Sequence, residues 1–471
     1  MSGNVDAHGD PVYEAKAVKL AAFTAELRFE DLPVEAVACA GRHLLDTFGV
    51  AIRGQRGDSA QSAMRGIGAM QGSGGGGRVW GTRETLAAPY AAMANGIAAH
   101  VLDYDDTHTD AIVHGSAILA PVVVALGEEL GSSARDAIAA FVVGWEVAAR
   151  VGLAARGTFH RRGFHTTSVA GVFGAAAAAS RLYGSSVRET MHALGLAGSQ
   201  ASGISEYLSN GSSAKSFHTG WSAYSGILSA HLARAGMTGP ETVFEGRYGV
   251  LRTHGVAADA DADELDAQLG SRWEVTRVSI KPYPCCHFAH AFIDCVLALA
   301  KQGATAGNVE RLHCVVPQTE LPLICEPVAE KQWPASPYAA KFSLPYLLAA
   351  ALVDGRIDHR TFLEGNLERN DLRAVAMRVS HRVALPAETG FPRYFPGWVE
   401  ATLTDGRTLV EKLAVNRGHP ENPLDEARIA DKFRDNAEDT LGSAGCERVL
   451  ALVASLPDAA TRDLARALAP Q

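Results

Sequence analysis

The sequence predicts a mostly helical protein, with a large all-α domain assembled from both chain ends and a smaller α+β domain inserted between them. Three observations carry this. Residues 87–235 read as helix after helix, rich in alanine and glycine. After about Leu269 the texture changes to short alternating runs broken by turns. After Pro420 and Pro423 the chain returns to helical periodicity up to residue 468, and this last segment can dock on the first bundle. The expected boundaries are 1–269 with 416–471 for the helical domain and 270–415 for the α+β domain. With 471 residues the chain is also too long for one ordinary core.

Taken in order, residues 12–27 carry apolar positions at Val18, Ala21, Ala22, Phe23 and Leu27, spaced for one helical face. Pro33 opens a second helix that ends near Gly54. The glycine-rich run 72–77 lacks the lysine of a phosphate loop and reads as a turn into a short extended piece at Arg78, Val79 and Trp80. Residues 133–151 are amphipathic. Residues 166–183 hold Gly171, Gly174 and Ala175 through Ala179, small enough for helices to approach closely. Residues 187–201 and 222–235 continue the bundle. Beyond it, 273–280 and 309–316 alternate like strands, 288–302 and 337–353 read as helices, and 375–383 alternates again. Asp405-Gly406 between two β-rich runs marks a hairpin within 398–415. Helices are expected at 424–436 and 447–468.

Composition excludes several classes. The chain is 47% hydrophobic and 20% charged, with net charge −9 and no long basic run, which disfavours nucleic acid and anionic membrane as partners. A small anion remains compatible, since local lysines and histidines can make a positive pocket in an acidic protein. The seven cysteines are few, odd in number and mostly scattered, which suits a reducing cytoplasm. Residues 1–11 are polar, with no apolar signal core. No uninterrupted apolar run reaches about 18 residues, so no membrane span is expected.

The chemistry concentrates in Asp103, Tyr104, Asp105, Asp106, Thr107, His108, Thr109, Asp110 and His114, between apolar helical flanks. Ionisable groups this close repel one another and resist desolvation unless something compensates. A solvated loop with capping residues accounts for Asp105, Asp106 and Asp110. It accounts less well for two histidines between apolar flanks, so a functional site stands beside it as an equal reading. Three further clusters stand out: His160 through Thr167, with His165 near a helix N-terminus; a Gly/Ser-rich loop, 209–218, holding Lys215 and His218; and Lys281-Pro282-Tyr283-Pro284-Cys285-Cys286-His287-Phe288-Ala289-His290. In the last, the spacing suits no zinc site. A nucleophilic cysteine at a helix start is one reading, and ligand positioning is preferred to it. Neither a nucleophile elbow nor a dinucleotide fingerprint is present.

The chain resembles the MmgE/PrpD family over nearly its whole length. The resemblance is carried by Leu44-Leu45-Asp46-Thr47-Phe48-Gly49, Asn95-Gly96, His100 through Thr107, His114-Gly115-Ser116, Gly163-Phe164-His165, Lys281 through Cys286 with His290, and Gly418-His419-Pro420-Glu421-Asn422-Pro423. It implies a helical domain built from both chain ends, a smaller α+β lid, a homodimer and a cofactor-free active site between the domains. It implies substrates that are small di- or tricarboxylates, as for 2-methylcitrate dehydratase, cis-aconitate decarboxylase and iminodisuccinate epimerase. By the same resemblance Asp103, His114, His165, Lys215 and Lys281 take the catalytic positions. Thr107, Cys286, His287 and Tyr346 line the substrate, and no metal is bound. Two departures bear on the reaction. Cys286 stands where the decarboxylase has a histidine, and one extra residue precedes His114.

The reading preferred from the sequence is a cofactor-independent hydro-lyase of the 2-methylcitrate dehydratase kind, moving a proton at carbon next to a carboxylate. Epimerisation of an iminodisuccinate-like acid and decarboxylation are the alternatives, and a non-catalytic binding protein of the same fold is the least favoured. Lys281→Ala is expected to abolish turnover with little change in fold.

Overall fold

The computed structural model describes residues 15–71, 74–391 and 393–470. The expectation of a polar tail at 1–11, the start of the first helix at 12–14, and part of the 72–77 run lie outside them. Helix makes up 59% and strand 9%, so the protein is mostly helical. The longer helices are α1 (Lys16–Glu26), α2 (Val34–Gly54), α3 (Asp58–Gln71), α4 (Ala88–Val101), α5 (Ser116–Leu130), α6 (Ala134–Ala155), α7 (Thr166–Leu182), α8 (Val187–Gly198), α9 (Ala214–Arg234), α10 (His290–Lys301), α11 (Leu344–Asp354), α12 (Glu426–Ala454, kinked at Gly442) and α13 (Thr461–Ala467). The strands are β1 (Gly77–Arg78), β2 (Thr85–Leu86), β3 (Val309–Val316), β4 (Val379–Val383), β5 (Gly397–Leu403) and β6 (Thr408–Leu413).

The chain forms two compact units. The first comprises 1–101, 105–278 and 426–471; the second comprises 102–104 and 279–425.

In the first unit α5 is buried on every side from Ser116 to Glu128, as expected of a helix that is apolar all round. Gly131 ends it in the left-handed conformation (φ 69°), which costs glycine least. Ser133 then caps α6 by accepting from the Asp136 N–H. By length and composition α6 could cross a membrane, but 94% of its most apolar window is buried inside the protein, as for a core helix. Helix α7 packs against α6 and α9, and small residues set the distance. A Cβ at Gly174 would lie 2.5 Å from the Gly144 carbonyl oxygen, and one at Gly226 would lie 2.3 Å from the Ala175 methyl.

In the second unit a four-stranded sheet has the order β4-β3-β5-β6. The β5–β6 hairpin turns at the expected Asp405-Gly406, with Gly406 at φ 86°. Strand β3 pairs antiparallel with β5 and parallel with β4. Helices α10 and α11 bury their apolar faces with this sheet in one core that includes Phe292, Val296, Leu347, Leu348 and Val399.

Four expectations are corrected. Residues 273–280 form no strand: Glu274–Arg277 is a 3-10 turn, because Glu274 is buried by ion pairs rather than by a two-residue alternation. The 375–383 run splits into the end of a helix (Asn370–Ala376) and β4. The 337–353 helix breaks at Ser343, which caps α11 by accepting from the Tyr346 N–H. Finally, Lys215 and His218 lie not in a loop but on the first turns of α9.

Candidate active site

Loop 102–115 joins α4 to α5 and is pinned from several sides. His108 and Val113 exchange backbone hydrogen bonds (2.9 and 3.3 Å), closing a turn in which Ile112 sits at φ 58°, a costly conformation for a β-branched residue. Asp106 anchors the start of α5. Its carboxylate accepts from Ser116 N–H (3.3 Å) and Ser116 Oγ–H (2.5 Å), and His43 Nδ1 lies 2.7 Å from Oδ2 without hydrogen-bond geometry. The reading of Asp106 as a solvated capping residue is corrected: Asp106 is fully buried and Gly115 is the N-cap of α5, although the Asp106 carboxylate accepts from the Ser116 N–H. Asp110 pairs with Arg277 at 2.8 Å on the surface.

Asp105 behaves differently. It is fully buried, and its Oδ2 lies 2.7 Å from His100 Nδ1 and 3.5 Å from His114 Nδ1. His114 Nδ1 also lies 2.8 Å from the Asp106 carbonyl and 3.1 Å from Thr107 Oγ1. The His100 ring stacks on His165, with centroids 5.6 Å apart, and His165 Nδ1 meets His218 Nδ1 at 3.0 Å. His165 is the N-cap residue of α7, held by its backbone N–H to Gly203 O (2.9 Å), and Tyr207 sets its ring edge-on to both His165 and His218. The result is one row of four imidazoles, His114, His100, His165 and His218, with a carboxylate at one end and the Lys215 ammonium at the other.

Electrostatics follow from this packing. Burial, reinforced by the fields of His100, Lys215, His218 and His114, holds His165 well below the usual imidazole range. Burial, with His100 and Lys215, lowers His218 to about 4. Both are therefore neutral at pH 7, and one Nδ1 donates to the other.

The second unit carries its own cluster. Lys281 is buried; its Nζ donates to the Asp103 carbonyl (3.0 Å) and lies 3.3 Å from Asp103 Oδ1. Asp103 is at φ 54°. Lys341, also buried, donates to the Leu102 and Pro284 carbonyls and lies 4.9 Å from the Phe362 ring centroid. Cys286 is buried, and burial, followed by the Asp103 charge, pushes its thiol up to about 12. The nucleophilic reading of this cysteine therefore fails, because the reactive form is the thiolate. Iodoacetamide at pH 7 is expected to leave Cys286 unalkylated in the folded protein, as read by peptide mass. His287 Nε2 accepts from Asn416 Nδ2 (2.9 Å). The Tyr346 hydroxyl donates to the Thr361 carbonyl at 2.7 Å inside the core of this unit.

The sequence-derived residues thus fall into two groups. Thr107, His114, His165 and Lys215 come together in the first unit; Asp103, Lys281 and Cys286 come together in the second, with His287 and Tyr346 in the same unit. His100, Asp105, His218 and Lys341 are not among the site residues the sequence assigns, although the first three stand in the motifs and clusters quoted from it. Two signals in the sequence bear on the first pair: a histidine ending an apolar helix, and an aspartate five residues later.

Among the described residues, His100, Asp105 and His114 bring one ligand atom each within 4.8 Å of one another. Both Nδ1 atoms are engaged as N–H donors to oxygen, so an ion held there would have to break those hydrogen bonds.

Family models match on both sides of the unit boundary: the MmgE/PrpD N-terminal domain over residues 18–262 and the MmgE/PrpD C-terminal domain over 283–458. The chain belongs to the MmgE/PrpD family. Among its relatives, the cis-aconitate decarboxylase of Mus musculus is 28% identical over 395 residues, covering 81% of this chain and 78% of the relative. That of Aspergillus terreus is 28% identical over 402 residues, covering 80% of each. A cis-aconitate decarboxylase-like protein of Aspergillus oryzae is 26% identical over 462 residues, covering 94% of each. The MmgE/PrpD chain is an enzyme of the lyase class, which sets aside the non-catalytic alternative.

Proposed function

We propose that this enzyme is a cofactor-independent lyase that moves a proton at a carbon next to a carboxylate of a small di- or tricarboxylate, with loss of water as the preferred reaction. The observation that carries the reading is the imidazole row beside Lys215. A neutral imidazole with a free ring nitrogen can accept a substrate proton, as proposed for His114, or donate a hydrogen bond, as for His165, and an ammonium offsets the charge that builds on an enolate-like intermediate. Lys215 takes a substrate carboxylate, His165 polarises, Thr107 orients His114, and His114 transfers the proton; Lys281, in the second unit, takes the carboxylate-binding role that the family resemblance gives it.

Decarboxylation is the second reading, favoured by the names of the relatives. The Cys286 position weighs against it and leaves epimerisation as a further alternative. A screen of tricarboxylates and α-substituted succinates by proton NMR in deuterated buffer separates the three. Dehydration gives a vinyl signal, decarboxylation gives loss of carbon dioxide, and epimerisation gives deuterium uptake alone. An enzyme that exchanges no substrate hydrogen across the panel would overturn the proposal. Dialysis against EDTA is expected to leave turnover unchanged, as measured by ultraviolet absorbance of the unsaturated product.

We extend the proposal to a cytoplasmic homodimer. Seven unpaired, buried cysteines support the first term, and exposed Ile204, Leu208 and Phe217 on one stretch of the first unit support the second. Light scattering on the eluted protein tests the dimer.

A further inference from the structure

We propose that Asp105 and His100 are positioning residues for His114: one carboxylate, hydrogen-bonded to His100 and within ion-pair distance of His114, sets the field on the ring whose Nε2 moves the substrate proton. This rests on the proton-transfer role given to His114 above.

The argument starts from the surroundings of His114 Nδ1. Three oxygens face it: the Asp106 carbonyl at 2.8 Å, Thr107 Oγ1 at 3.1 Å and Asp105 Oδ2 at 3.5 Å. A carbonyl and a carboxylate only accept, so Nδ1 carries the hydrogen, and in the neutral ring the lone pair falls on Nε2. His100 Nδ1 lies 2.7 Å from the same Asp105 oxygen, by the same logic as a donor. Its Nε2 is buried with no hydrogen-bond partner among the described residues. One anionic oxygen thus accepts from His100 and lies within ion-pair distance of His114, whose own Nδ1–H goes to the Asp106 carbonyl. Asp105 is fully buried, so little solvent screens its charge.

The sharing has a consequence of definite sign. Removing the His100 donor leaves the Asp105 charge less compensated and favours the protonated His114. Removing the Asp105 charge disfavours it. The other groups around this cluster are the same in both variants: Asp106, tied to Ser116 and His43; His165 on α7; His218 and Lys215 on α9; and Lys432 on α12, which sits in the field of Asp105 and Asp106.

The test compares His100→Phe, which keeps a ring stacked on His165, with Asp105→Asn and with His100→Gln, which restores a donor. The acid limb of kcat/KM, where His114 becomes protonated, is expected to move up by about one pH unit in His100→Phe and down by about one unit in Asp105→Asn. In His100→Gln it is expected to stay near the wild-type position. Limbs that shift in the same direction, or do not shift, would overturn the proposal. Independently, 15N-histidine NMR of the substrate-free wild type, assigned with His114→Gln, is expected to show His114 as the Nδ1–H tautomer; an Nε2–H tautomer would overturn it. That reading needs no substrate, so an empty substrate screen would sink the functional reading while leaving this one measurable. Turnover with an unmoved limb would do the reverse.

Discussion

Lys281→Ala is expected to lower kcat/KM by about 10²- to 10³-fold, the effect of removing one charge-stabilising donor from a water-poor site. The structure adds a second consequence that the sequence did not suggest. Lys281 is 2% exposed and Asp103 is 4% exposed, and the lysine bonds both the carbonyl and the carboxylate of Asp103. Removing one member of a buried ion pair costs about 3–5 kcal/mol, because the remaining charge loses its partner without regaining water. Asp103 also holds a left-handed backbone conformation, so its loop has little reserve. The alanine variant is therefore expected to melt well below wild type, contrary to the expectation of an untouched fold. Two companion variants separate anchoring from stability. Lys281→Arg keeps the charge and is expected to keep most of the melting temperature while losing activity, since a guanidinium cannot repeat the geometry of an ammonium. Asp103→Asn in the Lys281→Ala background is expected to recover stability but not turnover. Thermal melts and kcat/KM on the same preparations decide. Full activity in Lys281→Ala would remove Lys281 from the site.

Much of the architecture was legible because local chemistry and global packing agree. Pro33 and Ser133 stand as N-caps, and small residues stand where α6, α7 and α9 touch. Asp405-Gly406 turns a hairpin because Gly406 supplies the positive φ. The errors arose where a buried charge imitates a pattern. Trp273 through Ile280 alternates, but Glu274 faces inward toward His108, Arg272 and Arg277, so the period of two carries no sheet. Helix α3 was given no element; Gly66 and Gly68 dilute its periodicity, and only Ala60 and Ile67 are buried. At the site, sequence spacing singled out His114 and His165 but not the groups between them. Asp105 reads like any loop aspartate beside Asp106, and only the fold shows that Asp106 ties down Ser116 at the start of α5 while Asp105 bonds His100 and approaches His114. From the sequence, His218 reads with Lys215 as a pair in a Gly/Ser-rich loop able to bind a carboxylate; in the structure it lies on a helix, one turn after Lys215, and faces His165.

The largest stability effect is expected from Arg150→Met. Arg150 is fully buried on α6 and donates four hydrogen bonds: Nε and Nη2 to Glu146 Oε2 (3.3 and 3.2 Å), Nη1 to the Ala267 carbonyl (2.5 Å) and Nη2 to the Arg272 carbonyl (3.0 Å). Methionine fills the stem but leaves the buried Glu146 carboxyl without its two hydrogen bonds from Arg150 and two carbonyls without a donor. The loss is about 5 kcal/mol or more, comparable with the whole stability of many domains. Glu146 then lies beside Glu274, whose backbone N–H it accepts at 2.6 Å. Burial, then the Glu274 charge, raises Glu146 to about 8, whereas Glu274 is held at about 2, since the His108, Arg277 and Arg272 contacts outweigh its burial. The signs are opposite. Glu274 contributes stability above its unfolded value near 4.5, lost as pH falls toward 2. Glu146 binds a proton more tightly folded than unfolded, so its contribution declines as pH rises from about 4.5 to 8. Wild-type urea midpoints are therefore expected to peak in mildly acidic buffer and fall on both sides. In Arg150→Met the alkaline fall steepens, because nothing opposes the proton on Glu146. The same cluster ties His108, and with it the loop that carries Asp105, Thr107 and His114, to α6. Arg150→Lys, which reaches one carboxylate and not the two carbonyls, is expected to recover less than half of the stability. If Arg150→Met unfolds at the wild-type urea concentration, the ion cluster does not hold the loop.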